Sequence, residues 1–339
     1  MLRIAIAFAL FLGTFPGEAA TRRHAKPRRA SPHAARKAEA PIDVAAVNDP
    51  GLARVVGPGS SGSAVLRAQI LLARAHFSCG EIDGRYGANL RGAIADFQTA
   101  HGLDGSGIVE EGTWKILRTD TAPALLPVAI APEDVAGPFT QVPEDMMEKA
   151  KLPALSYSSP LEGIAEKYHA SPALLRKLNP GSGFDRAGEE ILAPNVVAPP
   201  PEKAASVVVS KSRGSVVALD ADGRILSHYP ATTGSEHDPL PIGRWKILGV
   251  GHNPSFHYNP ELFWDAKATD GKAVIPPGPN NPVGVAWIDL SREHYGIHGT
   301  PEPSQIGKTQ SHGCIRLTNW DVTELSRMVG PGTPAILEE

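Results

Sequence analysis

The sequence predicts a multidomain chain. A mostly-β C-terminal domain, a curved sheet or sandwich, follows a small three-helix domain and a small βααβ domain. Three observations carry this reading. From 203 to 338, β-branched runs such as Val207-Val208-Val209 and Val216-Val217-Ala218-Leu219 are broken by Gly, Pro and Asp turns, and helical periodicity returns only at Trp320–Val329. Between 59 and 118, apolar side chains recur at helical spacing in two blocks. Between 151 and 198 the signals run strand, helix, helix, strand. A length of 339 residues suits two or three domains of ordinary size.

In chain order, residues 1–20 read as a secretory signal: Arg3 opens it, Ile4 to Leu12 is a short apolar core, and Gly17-Glu18-Ala19-Ala20 offers small residues for cleavage. That apolar run is too short to span a membrane. Residues 21–58 are expected to be a basic disordered segment, since Thr21 to Ala38 holds seven Lys/Arg and no acid. The helical domain, 59–118, places Leu66, Ile70, Ala73 and Phe77 on one face and Leu90, Ala93, Ile94 and Phe97 on another. The glycine-punctuated loop Ile82-Asp83-Gly84-Arg85-Tyr86-Gly87 joins them, and a third short helix holds Trp114 and Leu117. Residues 119–150 are rich in Ala and Pro and read as a linker.

In the βααβ domain, 151–198, the expected strands are Ala154–Tyr157 and Glu190–Ala193. Ser159 caps the first helix with Pro160 at its first position and Glu162 completing a capping box. Ser171-Pro172 starts the second helix, which ends at Asn179-Pro180-Gly181. A proline-rich hinge, Pro199 to Glu202, leads into the β domain, where Thr318 and Asp321 form a cap pair for the C-terminal helix and Gly330-Pro331 stops it.

Composition is that of an ordinary soluble protein, 42% hydrophobic and 20% charged, and a net charge of −3 gives no sign of nucleic-acid binding. The chain has two cysteines. Cys79 is expected to be a buried or semi-buried free thiol. Cys314 sits in Ser311-His312-Gly313-Cys314-Ile315-Arg316, downstream of His294-Tyr295-Gly296-Ile297-His298-Gly299-Thr300. A thiolate is the reactive form of cysteine, and either His298 or His312 can help make it. Gly313 leaves open space beside the thiol for backbone N–H groups to face a developing oxyanion. Arg316, two residues on, shares a strand face with Cys314 and suits a substrate carboxylate. Together these point to acyl transfer through a thioester. Two rival readings are an inert core cysteine and a zinc site built from His294, His298, His312 and Cys314. Tyr-Gly between His294 and His298 disfavours a ligand-bearing helix, and no second cysteine lies near.

His298-Gly299 with Ser311-His312-Gly313-Cys314-Ile315-Arg316 resembles the signature of the YkuD-type L,D-transpeptidase catalytic domain. Ile275-Pro276-Pro277-Gly278-Pro279-Asn280-Asn281-Pro282-Val283-Gly284 extends the likeness upstream. Pro239-Leu240-Pro241-Ile242-Gly243 stands where that family usually has Thr-Pro-x-Gly. The resemblance implies an enzyme that needs no cofactor. Cys314 would attack the bond before the terminal D-Ala of a tetrapeptide stem, and D-Ala would leave. An amine of a neighbouring stem would then resolve the thioester into a 3→3 cross-link. His298 would be the general base, oriented by the backbone carbonyl of Gly299. Gly313 and Cys314 would supply oxyanion N–H groups, and Ser311, His312 and Arg316 would shape the substrate site. Tyr295 and Trp320 either line that site or pack.

Ile82-Asp83-Gly84, Phe97-Gln98 and Thr113-Trp114 are similar to a three-helix peptidoglycan-binding domain. Ile164-Ala165-Glu166-Lys167-Tyr168, Leu178-Asn179-Pro180 and Ile191-Leu192-Ala193-Pro194 resemble a LysM domain, with Ser158-Ser159-Pro160 at the usual Gly-Asp-Thr entry. Peptidoglycan stem peptides and glycan strands are the implied partners, in the periplasm or cell envelope, with no transmembrane segment after signal cleavage. An envelope-protein lysine or water are alternative acceptors, the latter making an L,D-carboxypeptidase, and a non-catalytic wall-binding scaffold is the reading from another class.

Overall fold

The computed structural model describes residues 42–339. The expected signal and the basic stretch to residue 41 lie outside the described residues. The remainder of the segment expected to be disordered is folded. Asp43 caps α1 (Val44–Asn48) by accepting from the amides of Ala45 and Ala46. Val47 and Val56 are fully buried, and Val56 pairs with Val109. Two well-placed valines dock a short stretch that composition alone marks as a tail.

The three-helix domain follows the sequence pattern. α2 (Ser63–Arg74), α3 (Ala88–Ala100) and α4 (Glu111–Leu117) enclose Leu66, Ile70, Leu90, Ile94, Phe97 and Trp114. Two buried glutamines staple its loops. Gln69 accepts from the Gly84 amide at 2.7 Å and donates to Asp83 at 2.9 Å. Gln98 accepts from the Gly107 amide at 2.9 Å and donates to Thr113 at 2.8 Å. Each side chain satisfies backbone groups that water cannot reach.

The expected βααβ order is not kept: the two helices expected between the strands are there, but two more short helices precede them and the first strand is a different one. β1 (Leu125–Ala129) comes from the stretch expected to be linker. α5 (Pro132–Val135) and α6 (Met146–Lys149) follow, then α7 (Pro160–Lys167), α8 (Pro172–Leu178) and β2 (Glu190–Pro194), the antiparallel partner of β1. Pro127 hides this strand in the sequence, yet a two-stranded sheet has only edges, where proline is tolerated. Ala154–Tyr157 is not a strand. Its Leu155 exchanges backbone bonds with Pro277 and Asn280 of the β domain instead, both at 3.0 Å. Ser159 and Ser171 cap α7 and α8 as expected. Glu162, however, turns back to the amide of Ser158 at 2.7 Å, one residue before the cap.

The C-terminal domain is a curled sheet. Its strands are β3 (Ser206–Ser210), β4 (Ser215–Leu219), β5 (Ile225–Pro230), β6 (Gly243–His252), β9 (Ala286–Leu290), β10 (Gly296–His298), β11 (Ile315–Arg316) and β12 (Pro334–Glu338). A separate hairpin, β7 (Phe256–Tyr258) and β8 (Ala273–Ile275), is inserted between β6 and β9. The eight strands run β11-β10-β9-β6-β12-β3-β4-β5. The two ends of this order meet, because Thr232, just beyond β5, pairs with Arg316 of β11 through N–H···O bonds of 3.0 and 2.9 Å. The outer edge of β5 is covered by the helical domain, where Ser78 donates to the His228 carbonyl and His228 to that of His76. Paired or covered edges leave no template for aggregation. Val207, Val216, Tyr229, Ile247, Ile288, Ile297, Ile315 and Leu337 form the core, on which α9 (Asn319–Met328) lays Val322, Leu325 and Met328. Thr318 caps α9 by accepting from the Asp321 amide at 3.1 Å. Among the described residues no helix is long and apolar enough to cross a membrane.

Candidate active site

The site lies where β10 and β11 run parallel in the curl, with Ile297 opposite Ile315 and His298 opposite Arg316. Paired residues of neighbouring strands share a face, so His298 and Arg316 stand side by side, and Cys314 immediately precedes β11. His298 is buried, at 4% exposed, and its Nδ1 lies 2.7 Å from the Gly299 carbonyl oxygen. A carbonyl only accepts, so Nδ1 carries the proton and Nε2 keeps its lone pair. Burial, reinforced by the neighbouring Arg316 charge, lowers the imidazole to about 3, so it is neutral across physiological pH. The ring stacks on Trp287 at 5.4 Å and 15° between planes, which fixes its tilt.

The Cys314 thiol is half-buried and donates to the His294 carbonyl oxygen at 3.6 Å. Burial pushes it up, while a bond from the Gly296 amide and the charge of Arg316 pull it down. The thiol and the imidazole are therefore each held in the neutral form. Ser311 donates from Oγ to the Cys314 carbonyl at 2.6 Å, tying the turn that presents the thiol. Gly313 is required there: its φ is 95°, and a Cβ would come within 2.7 Å of Tyr295 Cε1.

Burial lowers Arg316, and Cys314, Glu302 and Asp265 act in the opposite direction. Neither Glu324 nor Asp321 is among the groups that act on it. Glu324 bonds His76 at 2.9 Å and Tyr229 at 2.8 Å, and Asp321 lies in the first turn of α9. His312 belongs to the rim: Nε2 lies 2.9 Å from Asp265 Oδ1, and its ring meets the edge of Phe263 at 5.1 Å. Asp265 and Phe263 sit in the loop between β7 and β8. Trp320 stacks on His169 at 5.1 Å, away from the thiol, and Tyr295 packs over Gly313. The residues weighed as zinc ligands thus have separate partners, and the His294 ring, largely exposed, faces Glu293.

Sequence reading did not reach Thr232, Asp265 or Asn319. Thr232 holds Arg316 in place, Asp265 holds His312, and Asn319 packs against Gly299. Thr232 comes to the site through the closure of the sheet, Asp265 through the inserted hairpin and Asn319 through the start of α9.

Comparison with known proteins bears on this geometry. The model of the L,D-transpeptidase catalytic domain, YkuD, matches residues 204–337, and that of a peptidoglycan binding domain matches residues 61–117. The L,D-transpeptidase YkuD of Bacillus licheniformis is 31% identical over 175 residues, spanning 51% of this chain and 90% of that protein. The chain belongs to the YkuD family of L,D-transpeptidases. The L,D-transpeptidase YbiS of Escherichia coli is similar as well, 27% identical over 182 residues that cover 52% of this chain and 59% of that protein. Family membership makes the chain a transpeptidase whose partner is peptidoglycan, a material outside the cytoplasm. The curled sheet is its catalytic domain, and the helical domain is a peptidoglycan-binding domain.

Proposed function

We propose that the protein is an envelope L,D-transpeptidase that forms 3→3 cross-links through a thioester on Cys314. The observation that carries this reading is the His298 Nδ1–H···O=C bond to Gly299, 2.7 Å long, in a buried neutral ring. It leaves Nε2 as a proton acceptor. As the thiol attacks the peptide carbonyl before the terminal D-Ala, its proton passes to His298. The amides of Gly313 and Cys314 stabilise the oxyanion. Collapse breaks the C–N bond, His298 returns the proton to the departing amine, and D-Ala leaves. The side-chain amine of a diamino acid on a second stem then attacks the thioester, again with His298 taking the proton. Arg316 holds a donor carboxylate with its planar fork, Ser311 keeps the nucleophile turn, and His312 shapes the rim.

The peptidoglycan-binding domain keeps the enzyme on the wall. The test is incubation of the full chain with purified tetrapeptide muropeptides, followed by mass analysis. A cross-linked dimer with release of one D-Ala per link is expected. Tripeptide alone would make the protein an L,D-carboxypeptidase, and a stem joined to an added protein lysine would change the acceptor. No turnover, with C314A indistinguishable from the parent chain, would refute the assignment.

A further inference from the structure

Gly299 supplies the carbonyl that orients His298, so whatever fixes the Gly299 peptide also fixes the catalytic tautomer. Asn319, the first residue of α9, lies directly on it: a Cβ built on Gly299 would fall 2.3 Å from Asn319 Oδ1. Gly284 makes room on the other side, since its Cβ would meet the same oxygen at 2.1 Å and the Gly299 carbonyl carbon at 2.6 Å. The Asn319 amide is fully committed. Oδ1 accepts from the Val285 amide at 3.3 Å, and Nδ2 donates to the Pro279 carbonyl at 3.1 Å and to both Glu166 oxygens at 3.2 and 3.0 Å. Glu166 is on α7, outside the catalytic domain. It is 8% exposed and also accepts from the Tyr157 hydroxyl at 3.2 Å.

We infer that Glu166 and Asn319 are positioning residues for the reaction, by which α7 holds the Gly299 carbonyl and so the Nδ1–H tautomer of His298. The carboxylate decides which way the Asn319 amide faces: nitrogen toward Glu166, oxygen toward Val285 and Gly299. Buried hydrogen-bonded networks of this kind specify one arrangement because every alternative strands a polar atom. Burial raises the Glu166 carboxyl to about 7, and either protonation state leaves an oxygen to accept from Nδ2. Catalytic geometry therefore depends on a residue that bonds neither the thiol nor the imidazole.

The inference rests on His298 being the catalytic base, so its test includes a readout that needs no turnover. Full-length protein labelled with ¹⁵N-histidine, with His298 assigned by its loss in H298A, reports which ring nitrogen is protonated. The parent chain should show a single Nδ1–H tautomer. Asn319→Ala and Glu166→Leu should show mixed tautomers, with kcat lower by about tenfold to a hundredfold and KM little changed. Glu166→Gln keeps an accepting oxygen and should restore both readouts. Asn319→Asp, which loses the donor but keeps the packing volume, should resemble Asn319→Ala. A single Nδ1–H tautomer in Asn319→Asp, or loss in Glu166→Gln equal to that in Glu166→Leu, would overturn the inference. Should the parent chain show the tautomer but no transpeptidation, the functional reading fails while the positioning result still stands or falls on the spectra.

Discussion

Alkylation of Cys314 should be slow at neutral pH and climb about tenfold for each unit from pH ~6 to ~8.5, with no plateau on the acid side. The cause is electrostatic. A cysteine with a protonated histidine beside it exists as thiolate far below its usual range, and its reactivity is then flat with pH. Here the imidazole is held neutral by burial and by Arg316, and the thiol is itself raised by burial. Below its pKa the thiolate fraction grows as the power of pH, which sets the tenfold slope. At pH ~6.5 a thiol at or above the ordinary value of about 8.5 is about 1% ionised or less. Arg316→Ala removes the cation that draws the thiol down, so the whole curve should shift to higher pH. The assay is the iodoacetamide rate read by intact-protein mass. Cys79 serves as an internal control, since it is 5% exposed and burial raises it well above the ordinary thiol range. A rate flat between pH ~5 and ~8 would refute the neutral thiol and imidazole.

Loss of the imidazole in His298→Ala should lower kcat by ~10²–10⁴, with the circular-dichroism spectrum unchanged. Arg316→Ala should cost about tenfold to a hundredfold in kcat/KM for the tetrapeptide donor, and Arg316→Lys should recover only part, because an ammonium lacks the bidentate fork. Gly284→Ala should destabilise by about 2–5 kcal/mol in urea titration: its φ is +62°, and the new methyl would strike Asn319 Oδ1. Asp321 is buried with Oδ2 unpartnered, and burial raises it to about 8. The folded chain therefore keeps a proton that the unfolded chain releases above pH ~4, so stability falls as pH rises from about 4 to about 8. Asp321→Asn should raise Tm more at pH 8 than at pH 5; an equal change at both would contradict this.

Local signals were legible in the sequence because they are made by neighbours. Ser159 and Ser171 cap their helices, Thr318 caps α9, and Leu90 to Phe97 bury one helical face. The curled β domain and the Cys314 and His298 motifs were readable for the same reason. What the sequence hid depends on partners far along the chain. β1 carries a proline and becomes a strand through β2, and Ala154–Tyr157 looks like a strand but gives its backbone to Pro277 and Asn280. Residues 42–58 look like a tail until Val56 finds Val109. Asn319 is a plain helix-start residue in sequence; only the fold sets its amide on Gly299 and against Glu166.

The central claim is a thioester on Cys314, and intact-protein mass spectrometry under turnover tests it most directly. With a tetrapeptide donor and no amine acceptor, the account predicts an adduct equal to the donor minus one molecule of D-Ala. It should map to Cys314, discharge on adding a diamino-acid amine, and be absent from Cys314→Ala. Cross-linked product formed by Cys314→Ala at the parent rate, or an adduct mapping to another residue, would contradict it.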